Sequence, residues 1–137
     1  MVRTDRLNQK EAKKIFEQYG FPGVDLVGEE GSTDFFFLVQ HADDDPSFQR
    51  KVLQAMEEEM THRNASPKQY AYLTDRVHIN EGKKQIYGTQ VQVNEDLGSF
   101  EVKPVIEPDK LNERRKKVGL PPIEDYLKMI NERFINQ

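Results

Sequence analysis

Three observations predict a mainly α-helical chain with one β-hairpin, an α+β protein built as a single compact helical domain. Apolar residues recur at helical spacing along most of its length. Asp45-Pro46 and Ser66-Pro67 each place a capping side chain before a proline, the signature of a helix start. Strict alternation appears only where Val91 and Val93 interleave with Gln90 and Gln92. A chain of 137 residues has the length of one ordinary domain and can bury a core without staples. The expected domain is 1–137, with 1–7 as a flexible N-terminal arm.

In chain order, Asn8 followed by Glu11 reads as a capping-box start for a helix to Tyr19, with Ala12, Ile15, Phe16 and Tyr19 on one face and Gly20 just past its end. Val24 to Val27 reads as an extended link. Ser32 or Thr33 is the expected cap of the next element, Phe35 to Val39, taken as helix although its aromatic and β-branched content also suits a strand. Asp45-Pro46 opens a helix carrying Phe48, Val52, Leu53, Met56 and Met60 to about Thr61. Ser66-Pro67 opens another with Tyr70, Leu73 and Val77, stopping by Gly82.

Gln85 to Val93 reads as a strand, Asp96 to Ser99 as a turn, and Phe100 to Val105 as the second strand. A helix starts at Glu107-Pro108 and ends at Gly119, and a last one runs from Ile123 to about Ile135, burying Tyr126, Leu127, Ile130 and Phe134. Phe36, Phe37, Phe48, Leu53, Leu73 and Leu127 are the expected core.

Composition excludes several function classes. There is no cysteine, hence no disulfide, thiolate metal site or cysteine nucleophile. The hydrophobic share is 36%, the charged share 32% and the net charge -4, which speaks against nucleic acid or an anionic membrane as partner. No apolar run approaches a membrane span, and Met1-Val2-Arg3 opens into polar sequence, so a cytoplasmic protein is expected. No GxSxG, P-loop or HExxH motif is present.

Four polar segments follow one another: QHADDDPSFQ at 40–49, YLTDR at 72–76, QIYGTQ at 85–90 and RRKKVGLPPIEDYL at 114–127. In this order they resemble a bacterial domain-of-unknown-function family marked by QHAD, L-x-DR, Q-x-YGTQ and RR-x-x-GL motifs. GFPG…VGEEGS at 20–32 fits the same pattern, so the resemblance spans about Asn8 to Leu127. It implies a shared fold and an upstream acidic-Gln-Arg segment before this chain's start, and it brings no assigned activity.

Within these segments, His41 is the side chain best suited to acid–base work near neutral pH, and Asp43 is its expected partner. H-x-D also offers two hard metal ligands, but three are the usual minimum and no second histidine is placed, so no metal or cofactor is expected. For an isolated His-Ala-Asp the plainer reading, helix-end caps hydrogen-bonded to loops, is favoured. Arg76 and Arg115 could clamp an anion, whereas the plainer reading is a structurally satisfied Arg76 and a solvated basic run at Arg114 to Lys117. Gln40, Gln85, Tyr87, Thr89 and Gln90 would position a polar substrate, with the three odd-numbered ones on one strand face around Gly88.

Two function classes follow. One is a hydrolase or group transferase acting on a small polar or anionic substrate, with His41 and Tyr87 lining one pocket and Arg76 between them. The other is a non-enzymatic interaction module, of immunity or adaptor type, whose polar motifs form a structural network and whose partner is another protein.

Overall fold

The computed structural model describes residues 2–135, with side chains described for 9–133. Among these residues the order is α1 (Val2–Tyr19), α2 (Val24–Gln40), α3 (Pro46–Thr61), α4 (Pro67–Asn80), β1 (Val91–Asn94), β2 (Ser99–Val102), a 3-10 turn (Pro108–Lys110), α5 (Leu111–Lys117) and α6 (Ile123–Ile135). A mainly α fold with one antiparallel hairpin is therefore what the chain adopts. It divides into two compact units, Met1–Leu73 and Thr74–Gln137. Among the described residues, no helix is long and apolar enough to cross a membrane.

In the first unit, Ala12, Phe21, Phe35, Phe36, Val39, Phe48, Val52 and Met56 are buried. Phe16 meets Phe48 edge-on at 5.9 Å and Phe21 meets Phe35 edge-on at 5.8 Å, the geometry aromatic quadrupoles favour. Helix α3 starts as its sequence demands. Asp45 is the N-cap, its Oδ1 accepts the Phe48 N–H at 3.1 Å, and Pro46 sits where no N–H is needed. A hydrogen bond from Lys13 and then the Phe48 N–H hold the Asp45 carboxyl below its ordinary value.

Gly23 makes a close approach possible at the start of α2. A Cβ there would lie 2.2 Å from the Asn64 side chain. Asn64 uses that space to accept the Asp25 N–H at 2.8 Å and to donate to Glu59 at 2.7 Å.

Several local expectations are corrected here. Helix α1 begins at Val2, so Asn8 lies inside it and is no cap. The arm expected over 1–7 falls among residues whose side chains lie outside those described. Val24 to Val27 is helical, because Gly28, at φ 76, kinks α2 and lets a turn precede the main helix. Ser32 and Thr33 are therefore within α2 and do not cap it. Phe37 is 50% exposed, since its neighbours Phe35, Phe36 and Val39 occupy the buried side. Leu53 and Leu127 are half-buried, whereas Phe36, Phe48 and Leu73 are buried. Phe134 lies outside the described side chains.

In the second unit, β1 and β2 pair in register Val91 with Val102 and Val93 with Phe100. Helix α6 packs on β2. Its Asn131 carboxamide copies a neighbouring strand, accepting the Phe100 N–H at 2.7 Å and donating to the Phe100 carbonyl at 3.3 Å. Gln85 to Gln90 is not a strand. It is a loop, touching the hairpin through an isolated bridge between Gln85 and Val105. The reason lies in what its backbone groups bind.

Candidate functional site

Asp75 on α4 is 0% exposed. A carboxylate taken out of water destabilises the fold unless donors surround it. Four do so here. Oδ1 accepts the N–H groups of Ile86 at 2.8 Å and Tyr87 at 2.9 Å. Oδ2 accepts the Thr89 N–H at 3.0 Å and the Thr89 hydroxyl at 2.8 Å. These bonds are charge-assisted and fold the loop around one side chain.

The carbonyls of the same loop meet cations. Arg114 donates from Nε to the Ile86 carbonyl at 2.7 Å and from its terminal nitrogens to the Glu107 and Ile106 carbonyls. Arg115, 1% exposed, donates from one terminal nitrogen to the Tyr87 carbonyl at 2.9 Å and the Gly88 carbonyl at 3.4 Å, and from Nε to the Pro121 carbonyl at 2.7 Å. Its guanidinium carbon lies 5.3 Å from the centre of the Tyr126 ring, within cation–π range. The loop thus runs between one carboxylate that binds the N–H groups of Ile86, Tyr87 and Thr89 and two guanidiniums that bind the carbonyls of Ile86, Tyr87 and Gly88.

Gln85 closes the loop. It is 0% exposed; its amide nitrogen donates to the Gln90 and Lys103 carbonyls at 2.9 Å each, and its oxygen accepts the Gln90 N–H at 2.9 Å. Gln90 in turn donates to the Thr89 hydroxyl at 3.0 Å. Gly88 has φ 70, and a Cβ on it would press on Leu111 at 3.3 Å and Ile123 at 3.4 Å. Only glycine meets both demands without strain.

The second unit thus brings together the residues of QIYGTQ, Asp75 of the L-x-DR segment and the adjacent arginines of the RR segment. Gln85, Thr89 and Arg115, expected to hold a substrate, spend their described bonds on the chain itself. Tyr87 and Gln90 are half-buried, and so is Arg76, next to Asp75 on α4.

The first unit holds the QHAD segment. Gln40 is half-buried, and His41 and Asp43 are exposed. His41 ends α2: its N–H bonds to the Phe37 carbonyl at 3.1 Å and its own carbonyl accepts from Gln9 at 3.2 Å. No hydrogen bond joins its imidazole to Asp43 among the described residues. The buried polar member is Gln49, at 0% exposure, whose amide nitrogen donates to the Val39 carbonyl at 3.0 Å and to the Gln40 carbonyl and Asp43 at 3.4 Å. Sequence reasoning passed over Gln49. Its signal was position: Gln49, Val52 and Met56 recur at i, i+3 and i+7, so a glutamine shares the apolar stripe and has to find partners inside.

Among the clefts that open on the first unit, one, of about 260 Å³, is lined by Lys13, Phe16, Asp45, Phe48 and Lys51. A second, of about 290 Å³, is lined by Ile15, Pro22, Val27, Phe35 and Leu38 with Gly31 and Asp34. A third, of about 350 Å³, is polar.

The fold and this network define a mainly α-helical protein with one hairpin, whose second unit is organised around a buried polar network. A family model described as a family of unknown function, DUF6624, matches residues 1–136, and the chain belongs to that family. No curated protein and no solved structure matches it.

Proposed function

We propose that the chain is a non-catalytic interaction module. Its motif residues serve as a structural frame, and the α1–α2 face of the first unit takes a partner protein. The observation that carries this reading is a contrast. Gln85, Thr89, Asp75 and Arg115 are buried and bonded to backbone or to each other, while large apolar side chains stand in solvent. Ile15 is 39% exposed and Val27 44% exposed, and both line the apolar cleft. Contiguous exposed apolar surface marks interaction sites.

Charge indicates the partner's chemistry. Between Val24 and Gln40 lie Asp25, Glu29, Glu30 and Asp34, with no lysine or arginine. An amphipathic helix with an apolar stripe and a basic flank complements the α2 side of this surface.

The hydrolase or group-transferase reading is the weaker one, because the residues that would position its substrate use their hydrogen bonds within the chain. A pocket shared by His41 and Tyr87 forms no part of the proposal.

The test is a titration with a synthetic amphipathic helix of Leu and Lys, followed by backbone NMR. Expected are shifts at Ile15, Val27 and Leu38 that Val27→Glu abolishes. Absence of binding, or shifts spread over the whole chain, would refute it.

A further inference from the structure

We propose that the polar cleft of the first unit is a binding site for a small zwitterion carrying one carboxylate and one ammonium group, of which a free α-amino acid is the simplest. The site is distinct from the apolar cleft and does not depend on partner binding there. About 350 Å³ of space is lined by Glu29, Ser32, Thr33, Arg63, Ser66 and Gln69. That volume lies at the small end of ligand pockets.

The strongest sign is the backbone of Arg63. It has φ 57, the left-handed region that glycine occupies freely and other residues enter under strain. The position is the one just past the end of α3. The Arg63 N–H bonds to the Met60 carbonyl at 3.0 Å and the Asn64 N–H to the Glu59 carbonyl at 2.9 Å, the two bonds of a Schellman termination. Glycine is the residue that geometry favours. An arginine there loses stability and gains a guanidinium at the cleft, and strained residues of this kind cluster at ligand sites.

The other groups supply complementary chemistry. Ser32 is 5% exposed and lines the cleft with its hydroxyl-bearing side chain. Gln69 donates its backbone N–H to the Ser66 hydroxyl and its side-chain amide to Thr33, both at 3.2 Å. The Ser66 hydroxyl keeps its own proton to donate. Neither the Arg63 guanidinium nor the Glu29 carboxylate has an ion-pair partner among the described residues. One cleft therefore offers a planar donor for a carboxylate and an acceptor for an ammonium group. A simple anion would leave Glu29 facing like charge.

Thermal shift and calorimetric titration with L-amino acids at millimolar concentration, beside their N-acetyl and methyl-ester derivatives and inorganic phosphate, test this. A ligand that binds only the folded chain raises its melting temperature. At least one free amino acid should do so, and removing either of its charges should weaken binding tenfold or more. Arg63→Gly should keep or raise the melting temperature while abolishing the shift. Glu29→Gln, an exposed change, should remove the discrimination against the N-acetyl derivative. If no amino acid binds, if phosphate binds as well as any, or if Arg63→Gly still responds, the proposal is wrong.

Discussion

Asp75 and Thr89 meet twice: one carboxylate oxygen accepts both the backbone N–H and the hydroxyl of Thr89, at 3.0 and 2.8 Å, while the other oxygen holds Ile86 and Tyr87. Fourteen residues of chain are thereby tied to one buried charge. Asp75→Asn keeps the shape but turns one acceptor into a donor that faces other donors. We expect it to lower unfolding free energy by about 2–4 kcal/mol in urea denaturation. A change within ~0.5 kcal/mol would show that the loop does not need the charge.

Arg115 and Lys116 are adjacent in a basic run, yet one is 1% exposed and the other open to solvent. Arg115→Met should cost about 2–4 kcal/mol, because the Tyr87 and Pro121 carbonyls lose buried donors. Lys116→Ala should stay within about 0.5 kcal/mol. Similar effects at both sites would mean that the run is an ordinary solvated face.

Leu73 is fully buried and Phe37 half exposed. Leu73→Ala should cost about 2–5 kcal/mol, and Phe37→Ala well under half of that. The reverse ranking in chemical denaturation would overturn the assignment of the α2 faces.

Asp45 supplies a pH dependence. Its carboxyl is held below the ordinary 3.8 by Lys13 and the Phe48 N–H. A group with a depressed native pKa binds protons more readily when unfolded. Its stabilisation is therefore present above the ordinary carboxylate range and is lost as pH falls through the depressed value. The wild-type advantage over Asp45→Asn should be constant from pH 7 to about 5 and shrink below about pH 4. An advantage that grows on acidification would contradict the pairing.

The helices were legible because local rules decide them. Asp45-Pro46 and Ser66-Pro67 open α3 and α4 where capping chemistry says they should, and the alternation at Val91 and Val93 marks β1. What escaped depends on distant partners. The Gln85–Gln90 loop reads as a strand by alternation, and only Asp75 and the two arginines, far away in sequence, take the N–H and carbonyl groups a sheet would have used. Arg115 within a run of four cations carries no local sign that it turns inward. The Gly28 kink was hidden for the same reason, since a glycine marks freedom and not the direction the chain takes. Of the candidate site, Gln85, Thr89 and Arg115 were legible as residues to single out, whereas Asp75 and Arg114, which hold the loop, were not. QIYGTQ, Asp75 and the RR pair do come together, as a frame for one loop.

That frame is tested most directly by hydrogen exchange of the Ile86, Tyr87 and Thr89 amides, measured by NMR. Bound to a buried carboxylate, all three should exchange only through global unfolding, with protection equal to that of the α4 core and lost together in Asp75→Asn. Exchange at the rate of an open loop in the wild-type chain would contradict the account.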